Sequence, residues 1–263
     1  MNAPTIRFDD GAAYERYMGV WSQRVGMAFL DWLAPAPGLR WLDVGCGNGA
    51  FTEQIVARCA PASVDGIDPS AAQLNHARTR PTLADAAFRE GDAMALPYPD
   101  DTFDVAVMPL VIFFVPDPAR GVAEMARVVR AGGIVAAYAW DMPGGGFPYE
   151  PLLAELRASG VIVPSPPSPD ASTLDSMRAY WTEAGLGTVE TRVFDVERRF
   201  ADFDEYWTTV RAAPSAGPML GTMTTGEREA LQQRVRARLA VDGDAIVCTA
   251  RANAVRGSVA RKA

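Results

Sequence analysis

The spacing of apolar residues along the chain predicts its secondary structure. Residues 12–33 follow the 3.6-residue period of a helix, which Pro35 and Pro37 end. From residue 40 to residue 140, short apolar runs alternate with helical patterns, and each run is nearly continuous. The predicted strands are 40–44, 63–67, 87–90, 103–108 and 134–139, and the predicted helices are 50–58, one from residue 70, and 119–129. This alternation predicts a parallel sheet that helices cover on both faces.

The pattern changes after residue 141. Segment 142–170 is rich in proline and glycine around a predicted helix, 150–158. It is either a surface linker or a lid over a substrate site, because it leaves the sheet at the carboxyl end of the fifth strand, where ligands bind in such folds. Later spacing predicts helices over 173–184, 203–212 and 225–240 and two last strands, 189–196 and 245–252. We therefore predict one α/β domain over 1–263, with a seven-stranded, mostly parallel sheet and an antiparallel edge strand.

Composition narrows the classes of partner. The formal net charge of −7 disfavours nucleic acid and membrane surfaces, which are themselves anionic. Three scattered cysteines do not suit a disulfide framework and fit a reducing compartment. The first ten residues lack the apolar core of a signal peptide, and the apolar run 105–115 is too short to cross a bilayer. These features predict a cytoplasmic protein.

A glycine loop is the strongest local signal. The sequence WLDVGCGNGAF at 41–51 carries Asp43 from a buried strand into a loop with glycines at 45, 47 and 49, directly before a helix. Glycine lets a backbone approach a ligand closely, and the helix start adds unpaired N–H groups. Gly45, Gly47 and Ala50 also satisfy the dinucleotide-binding pattern, which by itself is weak. Asp43 suits an ammonium group better than a pyrophosphate.

Asp68 follows the second predicted strand, 25 residues beyond Asp43. A carboxylate in this place can accept hydrogen bonds from both hydroxyls of a ribose. Dehydrogenases use the same arrangement, so Asp68 indicates a nucleoside without choosing the cofactor. The alternative is a turn at Asp68-Pro69-Ser70 that only caps the next helix.

A third set of motifs resembles class I methyltransferases that use S-adenosylmethionine. The sequences are GDAMALP at 91–97, PDDTFDV at 99–105, VPDP at 115–118, EMARVVR at 124–130 and GGIV at 132–135. They resemble most closely the subgroup that includes the ubiquinone and menaquinone biosynthesis methyltransferases. The resemblance covers about residues 12–141 and implies a Rossmann-like fold.

The resemblance also implies roles for individual residues. The loop residues Gly45, Cys46, Gly47 and Gly49 would wrap the methionine part of the cofactor, with Asp43 near its amino group. The other implied contacts are Asp68 and Pro69 at the ribose, Asp92 and Ala93 at the adenine, and the backbone around Met108 at the amino-acid end.

Residues 1–35 resemble a helix that covers the cofactor, because YERYMGVWS at 14–22 looks like the corresponding segment of this subgroup. Tyr17, Met18 and Trp21 are the candidate contacts there. The alternative is that these three side chains only pack the helix onto the sheet.

The expected chemistry is an in-line displacement that yields S-adenosylhomocysteine, for which the protein mainly positions the reactants and excludes water. No histidine base is apparent, because the only histidine, His76, fits a solvated helix face. Asp141 is the alternative candidate base, and no metal is expected. Aromatic residues late in the chain favour a small apolar acceptor. Two other functions stay open: a nicotinamide-dependent oxidoreductase, suggested by the glycine pattern, and a protein that binds S-adenosylmethionine without catalysis.

Overall fold

A computed structural model describes residues 11–211 and 216–260. Within these ranges the helices are α1 (Gly11–Leu33), α2 (Ala50–Cys59), α3 (Ala71–Arg78), α4 (Pro118–Val128), α5 (Glu150–Ala158), α6 (Leu174–Glu183), α7 (Phe203–Arg211), α8 (Ala216–Gly221) and α9 (Thr225–Arg238). The strands are β1 (Arg40–Val44), β2 (Ser63–Asp68), β3 (Ala87–Glu90), β4 (Phe103–Pro109), β5 (Val129–Trp140), β6 (Leu186–Phe200), β7 (Ala240–Asp242) and β8 (Ala245–Val259).

These strands form one sheet in the order β3-β2-β1-β4-β5-β8-β6. The first five are parallel, β8 runs antiparallel to β5, and the edge strand β6 pairs antiparallel with β8. The predicted α/β class, with a mostly parallel sheet and an antiparallel edge, is confirmed. The described sheet has eight strands instead of seven, because the three-residue β7 also pairs with β8.

β5 and β8 are both longer than their apolar runs predict, as is β6, which spans Leu186–Phe200. β5 begins at Val129, which was predicted to be the last residue of a helix, because Val129 pairs with Phe103 before a register shift takes up Gly132 and Gly133. β8 continues to Val259 instead of ending at residue 252. The added residues are held by β5, from Trp140↔Ala252 to Ile134↔Ser258. Backbone pairing thus extends both strands past the residues that the hydrophobic pattern marks.

Asp104 ties β1, β4 and β5 together near their amino ends. Its carboxylate accepts bonds from the Arg40 backbone N–H at 2.8 Å and from the guanidinium groups of Arg40 and Arg130. Partial burial opposes ionisation, but these bonds outweigh it and lower the pKa of Asp104 to about 2. This polar cluster lies at the opposite end of the strands from the glycine loop, so it fixes the sheet and leaves the carboxyl edge available.

Tyr149, just before α5, joins the proline-rich segment to α1. Its ring stacks on Tyr17 with centroids 4.3 Å apart. Its hydroxyl donates to the Tyr17 carbonyl at 2.8 Å and accepts from Trp21 Nε1 at 3.0 Å. Since Tyr149 and Trp21 are both fully buried, α1 and this end of segment 142–170 are held as one packed unit.

Candidate functional site

A cavity of about 430 Å³ opens at the carboxyl ends of β1, β2, β4 and β5. This is the edge at which parallel sheets of this type bind ligands. Residues of the glycine loop and of the turns after β2 and β4 form most of the wall, and α1 and α2 complete it. The lining residues are Ser22, Asp43, Gly45, Cys46, Gly47, Asn48, Ala50, Phe51, Gln54, Asp68, Pro69, Ser70, Gln73, Pro109, Leu110, Val111, Phe114 and Tyr138.

Glycine is needed at position 45 for two reasons, the backbone angle there and the atoms that lie close to it. Its φ is +74°, in the left-handed region that favours glycine. A Cβ at this position would lie 2.4 Å from Cγ2 of Val111, in the turn after β4. The loop also bonds to β2, because the Gly45 N–H donates to the Ile67 carbonyl at 2.7 Å. The glycine therefore lets the backbone of one wall lie directly against the other.

Asp68 faces the cavity from the end of β2. Oδ2 accepts from the Gly47 N–H at 2.9 Å, and Oδ1 accepts from the Ser70 N–H at 2.8 Å. Each oxygen keeps a further lone pair for a ligand hydroxyl. Burial raises the pKa of Asp68, and the two N–H donors partly oppose that rise. The expected cap is present as well, since the Ser70 hydroxyl accepts from the Gln73 N–H, so the turn and the nucleoside interpretations of this motif are compatible.

Asp43 is a fully buried carboxyl group beneath the loop. Thr52 donates to its Oδ2 at 2.7 Å, and Oδ1 has no hydrogen-bond partner among the described residues. Desolvation, reinforced by the nearby Asp68 charge, raises its pKa to about 7 although the Thr52 bond opposes the rise. Such a group gains most from a cation, which would compensate its charge in a place that water does not reach.

Two other cavity residues carry buried oxygens of the same kind. In the described part of the chain, neither Ser22 Oγ nor Gln54 Oε1 has a hydrogen-bond partner. Buried polar atoms are nearly always paired, so unpaired atoms on residues that line one cavity are consistent with a ligand that pairs them. This chemistry fits a cofactor with both amino and hydroxyl groups.

Some residues predicted to contact the cofactor lie outside the lining. Gly49 precedes α2 as its N-cap with a φ of +80°, and a Cβ there would meet Leu83. Met108 is buried in β4, and its Cε lies close to Gly121 of α4. Asp92 is exposed and accepts from the Met94 N–H at 2.8 Å, and Ala93 is half-buried beside it. The adenine contacts predicted for Asp92 and Ala93 stay predictions.

The predicted residues of α1 are buried side by side. Tyr17 and Trp21 contact Tyr149, and Met18 belongs to the same core. None of these three lines the cavity, whereas Ser22, the next residue of α1, does. The arrangement agrees with the packing alternative for their side chains, and their cofactor contacts stay predictions.

The candidate base Asp141 follows β5 and closes a turn. Its Oδ1 accepts from the Gly144 N–H at 3.1 Å, and its own N–H donates to the Arg251 carbonyl. His76 is half-buried on α3. Neither residue is among those that line the cavity, so the role of Asp141 as a base stays a prediction. The described residues contain no group of three or more His, Cys, Asp or Glu side chains placed to hold a metal ion.

Ser22 and Gln54 were missed by the sequence analysis. A weak signal for each exists, because Ser22 lies four residues after Met18 on α1 and Gln54 lies four residues after Ala50 on α2. Residues four apart share a helix face. The face that meets the cavity depends on how each helix packs against the sheet, which spacing alone does not give.

Comparison with known protein families identifies the domain. Residues 42–137 match the family model described as "Methyltransferase domain". Over these residues the chain is similar to a methyltransferase domain. The predicted resemblance is therefore confirmed over the strands that carry the glycine loop. The match favours a loop that binds S-adenosylmethionine over a loop that binds a nicotinamide cofactor.

Curated relatives match the same region. The chain is 46% identical over 96 residues to 2-methyl-6-phytyl-1,4-hydroquinone methyltransferase 2, chloroplastic, of Oryza sativa subsp. japonica, covering 36% of this chain and 28% of that protein. It is 36% identical over 110 residues to the ubiquinone/menaquinone biosynthesis C-methyltransferase of a Ruegeria species, covering 40% and 44%. The chain thus spans less than half the length of either relative.

The fold extends beyond this region. Phosphoethanolamine N-methyltransferase 2 of Haemonchus contortus, solved in complex with S-adenosyl-L-methionine, superposes with a TM-score of 0.60 at 18% identity. The likeness covers 97% of this chain and 58% of that one, and it shows that the late strands and helices also belong to the common architecture. Within the described ranges, no helix has the length and apolar character needed to span a membrane.

Proposed function

We propose that the protein transfers a methyl group from S-adenosylmethionine to a small, largely apolar acceptor. The observation that carries this proposal is the cavity at the end of the methyltransferase domain, in which the carboxyl groups of Asp43 and Asp68 lie on one wall. The relatives named above are methyltransferases, and one structural neighbour was solved with this cofactor.

The residues of the cavity fit the cofactor group by group. Asp68 keeps one free lone pair on each oxygen for the two ribose hydroxyls, beyond the N–H groups of Gly47 and Ser70. Asp43 offers an unpaired, desolvated oxygen to the amino group. When bound, S-adenosylmethionine supplies a methyl group that is already activated by its sulfonium sulfur. The protein's own task is then to orient the reactants and to exclude water.

Much of the remaining lining is apolar. Pro109 ends β4, Leu110 and Val111 follow it, and Phe114 and Tyr138 also line the cavity. Such a surface supports an apolar or aromatic acceptor. Leu110 holds a φ of +60°, an unusual angle for a side chain with a Cβ, which agrees with a functional turn.

The lining offers little acid–base chemistry beyond the two aspartates. Among the described residues, no histidine, lysine, arginine or glutamate lines the cavity. This supports catalysis mainly by positioning and desolvation, on an acceptor whose nucleophilic atom is already deprotonated or has a lone pair. Asp141, at the end of β5, would serve as a base only if the turn at Gly144 opened.

The remaining parts of the proposal concern the segments that cover the cavity and the cellular compartment of the protein. Of the predicted cover over residues 1–35, residues 1–10 lie outside the described residues. We assign residues 11–35 and 142–170 to a cover over the site, supported by the bonds from Trp21 and Tyr149 that hold the two segments together. The acidic composition and the scattered cysteines favour a cytoplasmic enzyme that acts on neither nucleic acid nor membranes.

Calorimetric titration tests the cofactor assignment. The protein should bind S-adenosylmethionine and not NAD, and Asp68→Ala should weaken the binding about 100-fold, because two hydrogen bonds to a charged group are lost. Asp68→Asn is the matched control, since it keeps the size and one acceptor and should lose less. Binding of NAD in place of S-adenosylmethionine, or unchanged affinity in Asp68→Ala, would contradict the assignment.

Turnover tests the transfer itself. Formation of S-adenosylhomocysteine should depend on an added acceptor, and a panel of apolar phenols, hydroquinones and fatty acids should contain better acceptors than charged small molecules of similar size. A protein that binds the cofactor tightly yet turns over with none of them would be a binding protein instead of an enzyme.

A further inference from the structure

Three residues that line the same cavity each carry a buried oxygen without a hydrogen-bond partner, and they belong to three different elements. Asp43 Oδ1 lies at the end of β1, Gln54 Oε1 on α2 and Ser22 Oγ on α1. All three atoms are shielded from solvent and have no hydrogen-bond partner in the described part of the chain. An unpaired buried acceptor costs about 1–3 kcal/mol, so a ligand that donates to all three would remove a large unfavourable term.

The position of Gln54 depends on a glycine of α1. A Cβ at Gly26 would lie 2.6 Å from Gln54 Oε1 and 3.0 Å from Gln54 Nε2. The amide therefore rests directly on the α1 backbone, one helical turn after Ser22. Any larger residue at position 26 would push the amide away, so α1 both provides Ser22 and sets the place of Gln54.

We propose that Ser22 and Gln54, together with Asp43, bind the amino group of the methionine part of S-adenosylmethionine. A primary ammonium has three N–H donors, the same number as the unpaired oxygens, and its charge suits the carboxylate of Asp43. Ser22 and Gln54 are neutral acceptors that complete the set without adding charge. This inference rests on the proposed function and adds two specificity-determining residues outside the glycine loop.

The consequence is selectivity among adenosine thioethers. A ligand with the amino group should bind tightly only when both residues are present. A thioether without the amino-acid part should not depend on either residue, because it keeps the adenosine contacts and never reaches the three oxygens. α1 would then act in recognition as well as in covering the site.

The test measures dissociation constants of three ligands by calorimetry. They are S-adenosylhomocysteine, its analogue in which hydrogen replaces the amino group, and 5′-methylthioadenosine. The variants are Ser22→Ala and Gln54→Met, which remove one acceptor each. The matched controls are Ser63→Ala and Gln233→Met, whose side chains are exposed and which do not line the cavity.

Each of the two variants should weaken S-adenosylhomocysteine about 10-fold, as expected for one hydrogen bond to a charged group. Their affinities for the analogue without the amino group and for 5′-methylthioadenosine should stay within about twofold of the wild type. Gly26→Ala should reproduce the selective loss of Gln54→Met. The control variants should change none of the three constants.

Two negative results have different meanings. If Ser22→Ala and Gln54→Met weaken all three ligands equally, or none of them, the amino-group assignment is wrong while the cofactor site stands. If the wild type binds none of the three adenosine compounds, the proposed function itself fails.

Discussion

Trp21 and Ser22 are neighbours on α1, but their polar atoms have opposite surroundings. Trp21 Nε1 donates to the Tyr149 hydroxyl, which in turn donates to the Tyr17 carbonyl, so this contact is closed by the protein itself. Ser22 lines the cavity, and its Oγ, like Asp43 Oδ1, has no hydrogen-bond partner among the described residues. The Tyr149 contact thus stabilises the protein without a ligand, whereas the cavity wall is complete only with one.

The difference shows how a stable protein can contain a site whose buried polar groups oppose folding. Unpaired buried acceptors and a buried carboxyl group are unfavourable for folding. They are tolerated here because the surrounding structure, including the Tyr149 contact and the Asp104 cluster, holds the wall in place. Substitutions in the two regions should therefore act on different quantities. Cavity substitutions should change ligand affinity and the dependence of stability on pH. Tyr149 substitutions should change stability by the same amount at every pH.

Asp43→Asn should give the largest effect on stability. The folded state raises the pKa of Asp43 to about 7. The protonated Asp43 side chain therefore contributes to the stability of the folded protein below the unfolded pKa, and this contribution is lost as pH rises toward 7. The ligand-free variant should therefore gain stability over the wild type between pH 5 and pH 8, by up to about 4 kcal/mol. Urea unfolding at several pH values measures this difference.

Asp104→Asn is the control for that experiment, because the pKa of Asp104 is lowered instead of raised. Its stabilising contribution is present above the unfolded pKa and is lost as pH falls, so this variant should be less stable than the wild type at pH 8. The same pH trend in both variants would show that a general charge effect, and not the buried carboxyl group, is being measured.

Gly45→Ala tests the description of the cavity wall as a close approach of the loop backbone to the Val111 side chain. The variant would combine a left-handed φ with a Cβ 2.4 Å from Val111. We expect a loss of about 2–4 kcal/mol, from the backbone angle and from overpacking together. Thermal or urea unfolding of the ligand-free protein measures it.

Gly38→Ala separates the two causes, since Gly38 has a φ of +77° with no heavy atom within 4 Å of the added Cβ. It should cost only about 1–2 kcal/mol. In a Val111→Ala background the cost of Gly45→Ala should fall toward that value. An equal cost with and without the Val111 side chain would exclude the close contact as the cause.

Of the substitutions Asp43→Asn, Gly45→Ala and Tyr149→Phe, the last should have the smallest effect, and it should act on stability alone. The change leaves Trp21 Nε1 and the Tyr17 carbonyl without their partner, at a cost of about 1–2 kcal/mol that is independent of pH. Affinity for S-adenosylhomocysteine should stay within about twofold.

Tyr180→Phe is the matched control for the loss of a hydroxyl, because Tyr180 is half-buried and its hydroxyl makes no hydrogen bond among the described residues. It should leave stability nearly unchanged. A large loss of affinity in Tyr149→Phe would show that the two regions of α1 are coupled and would weaken the contrast between them.

Sequence reasoning predicted most of the sheet but not the limits of its late strands. The elements over residues 40–128 follow their apolar periods closely, since the central strands β1 and β4 are buried on both faces. β5 and β8 extend beyond their apolar runs because backbone pairing with β4 and β5, which carries no side-chain pattern, holds the added residues. The three-residue β7 has too few residues to produce a pattern of its own.

The sequence by itself determined the kind of domain and the loop that faces the ligand. Asp43, Gly45, Gly47 and Asp68 are tied to strand ends, and strand ends meet at one edge of a parallel sheet wherever the rest of the chain goes. Only the tertiary structure decided what α1 contributes. A helix presents residues in every direction, and its packing against Tyr149 on one side turned Ser22, and with it Gln54, toward the cavity. Local patterns therefore located the glycine loop, and long-range packing completed the wall around it.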